Sequence, residues 1–141
     1  MKLEDQLCTL EQAKRLRELG ITSEGYFLLN DKGEAFESWM LEGTEDRFYS
    51  TFTVAELGVM LPGIINKCKL TQWPISGATE ETISYGMQYR FRGNDPVNYG
   101  VFPSSTIFGD TEAIVRANLL IAILEEKVLT AEECNKRLID K

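Results

Sequence analysis

An α+β domain, with a largely antiparallel sheet and helices packed on one of its faces, is predicted by three features of the chain. Helix-start signatures occur at three separate places, one long stretch holds a strict two-residue periodicity, and the order of elements lacks regular βα alternation. Residues 1–141 read as one such domain: 141 residues match the rough prior of about one domain per 150, and no repeat, linker or composition break divides them.

The first signature is Thr9 with Gln12 three positions on, a capping box in which the hydroxyl accepts from one orphan amide and the carboxamide reaches back to another. Leu10, Ala13, Leu16 and Leu19 then recur at helical spacing, with Lys14, Arg15 and Glu18 toward water, and Gly20 supplies the left-handed residue that ends such helices. A helix is predicted over 10–19. Residues 26–29 and 35–40 are short apolar and aromatic segments joined by Asn30-Asp31-Lys32-Gly33-Glu34, a turn composition that predicts a β-hairpin. Residues 41–50 are polar and read as a surface loop. Thr53 and Glu56 form the second box, opening a helix of about two turns with Leu57, Met60 and Leu61 inward and Pro62-Gly63 as its stop.

Residues 64–73 are read as a strand. Ile83, Tyr85, Met87, Tyr89 and Phe91 then alternate with polar or small residues through 82–92, which predicts a strand with one buried and one wet face. Residues 101–102 and 106–108 are candidate edge segments. The longest helix begins near Thr111 with Ala113, Ile114, Ala117, Leu120, Ala122, Ile123 and Leu124 as its apolar set. The third box, Thr130 with Glu133, opens a last helix with Leu138 and Ile139 inward.

Composition excludes several chemistries. The chain has no histidine, so it cannot by itself build a Ser-His-Asp triad, a Cys-His dyad or a His-ligated zinc or haem site. A net charge of −7 disfavours a broad grip on nucleic acid or anionic lipid, and 12 of the 22 acids lie in residues 1–61 against 6 basic side chains there. No apolar stretch approaches the roughly 20 residues of a membrane span, and the acid-bearing N-terminus does not read as a secretory signal. The expected location is the cytoplasm. Cys8, Cys68 and Cys134 are odd in number and about sixty residues apart, which fits reduced core residues better than a disulfide framework or a thiolate cage.

No phosphate-binding glycine loop is present, and no serine–lysine spacing stands out. Asp31, Glu34, Glu42, Glu45 and Asp46 lack the spacing of a calcium loop. Neither a cofactor nor a metal is expected, and no catalytic residue is assigned. The candidate binding residues are Trp39, Glu42, Glu45, Asp46 and Tyr49 in and around the polar loop, where aromatics serve as interface anchors. Arg90 and Arg92 join them on the polar face of the long strand, near Lys67 and Lys69, where planar donor forks suit an anion.

Residues 52–62 (FTVAELGVMLP) and 111–124 (TEAIVRANLLIAIL), with a helical opening at 8–16 (CTLEQAKRL), resemble an AFTVAELGEMLP … TEADARAKMLIYLLEN pair in small proteins of phages, prophages and gut-bacterial mobile elements. The likeness covers a quarter to a third of the chain and falls mostly on caps and core positions. The chain departs from it at Ser50-Thr51, Val59 and Ile114-Val115, and by an added helix after Val128. The resemblance implies a shared fold and a phage or bacterial accessory setting, with no activity to carry over. The combined expectation is a non-enzymatic accessory protein that binds a protein partner. The rivals are a small-anion binder or small enzyme using Arg90, Arg92 and loop carboxylates, and a self-assembling virion component.

Overall fold

The computed structural model describes residues 3–23, 25–37, 48–65, 68–76, 83–90 and 101–139. A short 3-10 turn, Leu3–Gln6, leads into helix α1, Leu10–Glu18. Both arms of its capping box are made: the Thr9 hydroxyl accepts from the Gln12 amide at 3.2 Å and the Gln12 Oε1 accepts from the Thr9 amide at 3.0 Å. Gly20, at φ +105°, turns the chain away from the helix end, a conformation that costs little only without a Cβ.

Strands β1 (Phe27–Leu29) and β2 (Ala35–Glu37) form the predicted hairpin, with Asn30 Oδ1 accepting from the Lys32 and Glu34 amides to shape its turn. The expected surface loop differs at its end: Tyr49–Thr51 is strand β3, antiparallel to β1, so Tyr49 and Ser50 belong to a sheet of order β2-β1-β3. Leu7 bridges Thr53, and the Cys8 amide donates to the Phe52 carbonyl at 3.1 Å, which seals the far side of this end of β3. Helix α2, Val54–Met60, starts on the Thr53–Glu56 box with both arms made. Residues 38–47, which hold the rest of the predicted loop, lie outside the described residues.

The predicted strand at 64–73 is two strands. Ile64–Ile65 (β4) turns back on Cys68–Ser76 (β5), which pairs with Ile83–Arg90 (β6), which in turn pairs with the edge strand Val101–Gly109 (β7). All pairings in both sheets are antiparallel. Pro74 is tolerated within β5 because β4 pairs only with Cys68 and Lys69, leaving the outer side of β5 without a ladder partner at Pro74 among the described residues. The two edge segments predicted at 101–108 are one strand, and its register shifts opposite Met87–Tyr89 between Phe102 and Ile107, a stretch that contains Pro103, which has no N–H to give to a ladder.

Helix α3, Glu112–Glu125, is capped by the Thr111 hydroxyl and lies across β6 and β7, with α1 and α2 packed on its other side. Its burial is wider than a single stripe. Ala113, Val115, Ala117, Leu119, Leu120, Ile123 and Leu124 are all buried, whereas Ile114 and Ala122 from the predicted set are half-buried. A helix covered by a sheet and by two helices buries side chains around most of its circumference. Gly109 makes this contact possible, since a Cβ there would lie 2.4 Å from the Val115 amide nitrogen. One contiguous apolar core joins these residues to Leu16, Leu29, Phe52, Leu57, Met60 and Met87.

Two burial expectations are corrected. Gln88, expected on a wet face, is 4% exposed next to buried Met87, in the central part of β6 where the ladder is irregular and strict alternation fails. In helix α4, Ala131–Ile139, the inward residue is Cys134; Leu138 is half-buried and Ile139 is 74% exposed, because the face that meets α2 runs through 131, 134 and 138.

The turn from α3 to α4 places Lys127 at φ +59°, with its amide on the Leu124 carbonyl and the Val128 amide on the Ile123 carbonyl. This is a Schellman ending occupied by a residue that pays a left-handed strain. Lys127→Gly is expected to raise stability by about 0.5–1 kcal/mol, seen as a higher urea midpoint at unchanged slope.

Candidate functional site

Helix α1 and strand β3 lie side by side, and their packing brings together residues more than thirty positions apart. The Lys14 Nζ stands 5.2 Å from the centroid of the Tyr49 ring, and the Arg17 guanidinium carbon 5.5 Å from it. Cations at these distances over an aromatic ring are attracted by its negative quadrupole. Neither forms an ion pair with a carboxylate among the described residues. The next cation along the helix differs: Arg15 is bound to Glu125 at 3.0 Å and to Glu18 at 3.1 Å, and these carboxylates, Glu125 foremost, hold its guanidinium above the ordinary arginine range.

Beside this cluster opens a pocket of about 250 Å³ that shares Arg17 with it. Its floor is apolar, from Ala13, Ile21, Leu28 and Phe52, all of them core residues. Its rim is polar, formed by exposed Arg17 and Thr22 and half-buried Ser50, and buried Ser23 lines it too. Phe48 completes the lining, its ring set edge-on to Phe36 at 5.9 Å.

The rim is fixed from the far end of the chain. Asn135 on α4 accepts at Oδ1 from the Thr22 and Ser23 amides at 2.9 and 3.0 Å, and its Nδ2 donates to the Gly20 carbonyl at 3.0 Å. The Ser23 hydroxyl also lies within hydrogen-bond reach of Asn135, at 3.0 Å from Oδ1 and 3.2 Å from the carbonyl. One carboxamide therefore satisfies the backbone of the segment 20–23 that would otherwise be left to solvent.

Of the residues expected from the sequence to bind, Tyr49 sits in this arrangement. Trp39, Glu42, Glu45, Asp46 and Arg92 lie outside the described residues. Arg90 ends β6, and the register sets it opposite Lys69, so backbone pairing does bring two basic positions together there. Asp31 and Glu34 flank the hairpin turn, and among the described residues no three Cys, Asp or Glu side chains gather to hold a metal ion. Phe52, just past the end of β3, is a core residue, 1% exposed. Lys14 reads from the sequence as turned to water, and neither it nor Arg17 is a binding candidate there; the packing of α1 on β3 is what sets an aromatic ring against them.

Cys8 and Cys134 are free thiols in the core, as the odd number and wide spacing of the cysteines in the sequence suggest. Burial pushes the Cys8 thiol up, against an opposing hydrogen bond with Thr51 at 3.2 Å. Burial also pushes Cys134 up to about 12 from the ordinary 9.0; the Glu133 charge adds to this and Arg137 opposes it. Neither is an activated nucleophile.

Above pH 9.0 the unfolded chain loses the Cys134 proton before the native state does, so stability attributable to this thiol is full below that pH and falls toward about 12. In a Cys68→Ser background, both remaining thiols are expected to resist a disulfide reagent in the native state and to label at once in denaturant. The alkaline fall in urea midpoint should be shallower for Cys134→Ala. Asn135→Ala removes the tie on segment 20–23, and a loss of about 2–3 kcal/mol is expected in chemical denaturation, since several amides lose a partner together. No family model, curated protein or solved structure matches the chain.

Proposed function

We propose that the protein is a non-enzymatic, cytoplasmic accessory protein of the phage or prophage type that works by docking a protein partner on the face built from α1 and the β2-β1-β3 sheet. The observation that carries this reading is the Tyr49 ring held against Lys14 and Arg17, two cations without a carboxylate partner among the described residues. Tyrosine and arginine are the residue types that most often anchor interfaces, because they offer large contact area together with directional donors. A half-buried ring loses little side-chain freedom on contact, and the cations select a partner surface that carries acids. The phage setting rests on the resemblance of residues 52–62 and 111–124. No helix among the described residues is long and apolar enough to cross a membrane.

The test is affinity capture from a lysate of the host with three baits: the native chain, Tyr49→Ala, and the double variant Lys14→Glu with Arg17→Glu. All three should unfold at similar temperatures, because Arg17 is exposed and Lys14 and Tyr49 are half-buried. The expected result is one stoichiometric partner on the native bait that is lost from both variants. A partner kept by both variants, or none on any bait, overturns the proposal.

A further inference from the structure

Resting on that docking reading, we infer that the pocket beneath Arg17 takes the C-terminal residue of the partner chain, its apolar side chain on the floor and its α-carboxylate at the rim. Three features converge on this chemistry. The floor of Ala13, Ile21, Leu28 and Phe52 offers only carbon, so the group that enters must be apolar to gain from being there. The rim carries Arg17, with Lys14 near it and the hydroxyl-bearing Thr22 and Ser50 able to donate as well, so an anion at the mouth is favoured over a neutral group. The volume, about 250 Å³, falls below the roughly 300–1,000 Å³ of sites for drug-sized ligands and fits a group of side-chain size.

A chain terminus meets all three demands at once. Its side chain and its carboxylate diverge from one Cα, so the first fills the floor while the second faces the guanidinium and the rest of the chain runs outward. An aspartate or glutamate side chain carries its charge at its tip and would bring that charge to the apolar floor, where desolvation opposes it. Tyr49 lines the adjoining hollow with Lys14, Arg17 and Glu18, and an outgoing chain that crosses it gains the aromatic contact that anchors the docking face.

The experiment is a fluorescence-polarisation titration of the intact protein with labelled hexapeptides ending Gly-Leu, one with a free terminus and one amidated, alongside unlabelled N-acetyl-leucine and isovalerate as competitors. Binding of the free terminus is expected, with the amide about tenfold weaker or more, as for loss of a charged hydrogen bond. Arg17→Leu should weaken the free peptide by a similar factor and leave the amide unchanged, Arg17→Lys should restore part of the affinity, and Ser50→Leu should block both by filling the pocket. N-acetyl-leucine should compete, as a truncated terminus. Equal binding of acid and amide, or isovalerate competing as well as N-acetyl-leucine, overturns the proposal, the latter by assigning the pocket to free short-chain acids. No peptide binding while the Tyr49-dependent capture persists overturns the terminal-carboxylate assignment and leaves the docking face standing. Absence of both sinks the two together.

Discussion

Burial of α3 on two sides is the constraint on which the other elements depend. Seven of its fourteen residues are out of water, and a helix so covered needs a sheet on one flank and helices on the other before its apolar surface is removed from solvent. The polar groups beside this core are arranged to match. Gln12 completes the cap of α1 and at the same time donates to the Ile114 carbonyl and to Asn118 Oδ1; Asn118 Nδ2 passes on to the Phe108 carbonyl. A relay of carboxamides thereby links α1, α3 and β7. On the opposite side Arg116 reaches Gln72 on β5 and the Val54 carbonyl on α2. The helix is thus positioned by directional bonds at its flanks and held by apolar contact between them, and among the described side chains no buried polar atom is left unsatisfied.

What the sequence made legible was local. Capping boxes at Thr9 and Thr53, the Asn30–Glu34 turn and the Gly20 exit are each decided by residues within a few positions of one another, and each occurs where the spacing places it. The class, α+β with antiparallel strands, follows from their order. Division of the strands into two sheets was hidden, because it turns on the pairing of β3 with β1, and Tyr49–Thr51 has neither length nor alternation to announce a strand. Gln88 and Ile139 mislead for a related reason: periodicity gives a face, whereas burial depends on what another element lays against it. The site was legible at one residue, Tyr49. Lys14 and Arg17 carry no signal of their own, since cations three apart on a short helix are what any solvated face contains.

Charge gives a parallel lesson in scale. A net −7 describes how the molecule repels other acids at long range, yet screening in salt confines such fields to about 10 Å. Within that distance the mouth of the α1–β3 pocket carries Arg17, with Lys14 beside it. Glu18 and Glu125 share Arg15, one turn or less from Lys14 and Arg17, so part of their charge is offset where they stand. An acidic chain can therefore present a locally cationic hollow, and the apolar floor beneath it makes that hollow selective for anions with a carbon body rather than for hydrated ions.

Asn135 joins the last helix to the segment after the first one, across 112 to 115 positions of sequence. Closing a loop of that size costs more chain entropy than any of the capping or hairpin contacts, and it brings no reward until both partners are in place. The tie therefore gains its strength from the core beside it, of which the neighbouring Cys134 is a member, since the core has already brought the two ends together. The wall of the pocket is thus shaped by how firmly the two ends of the sequence hold each other.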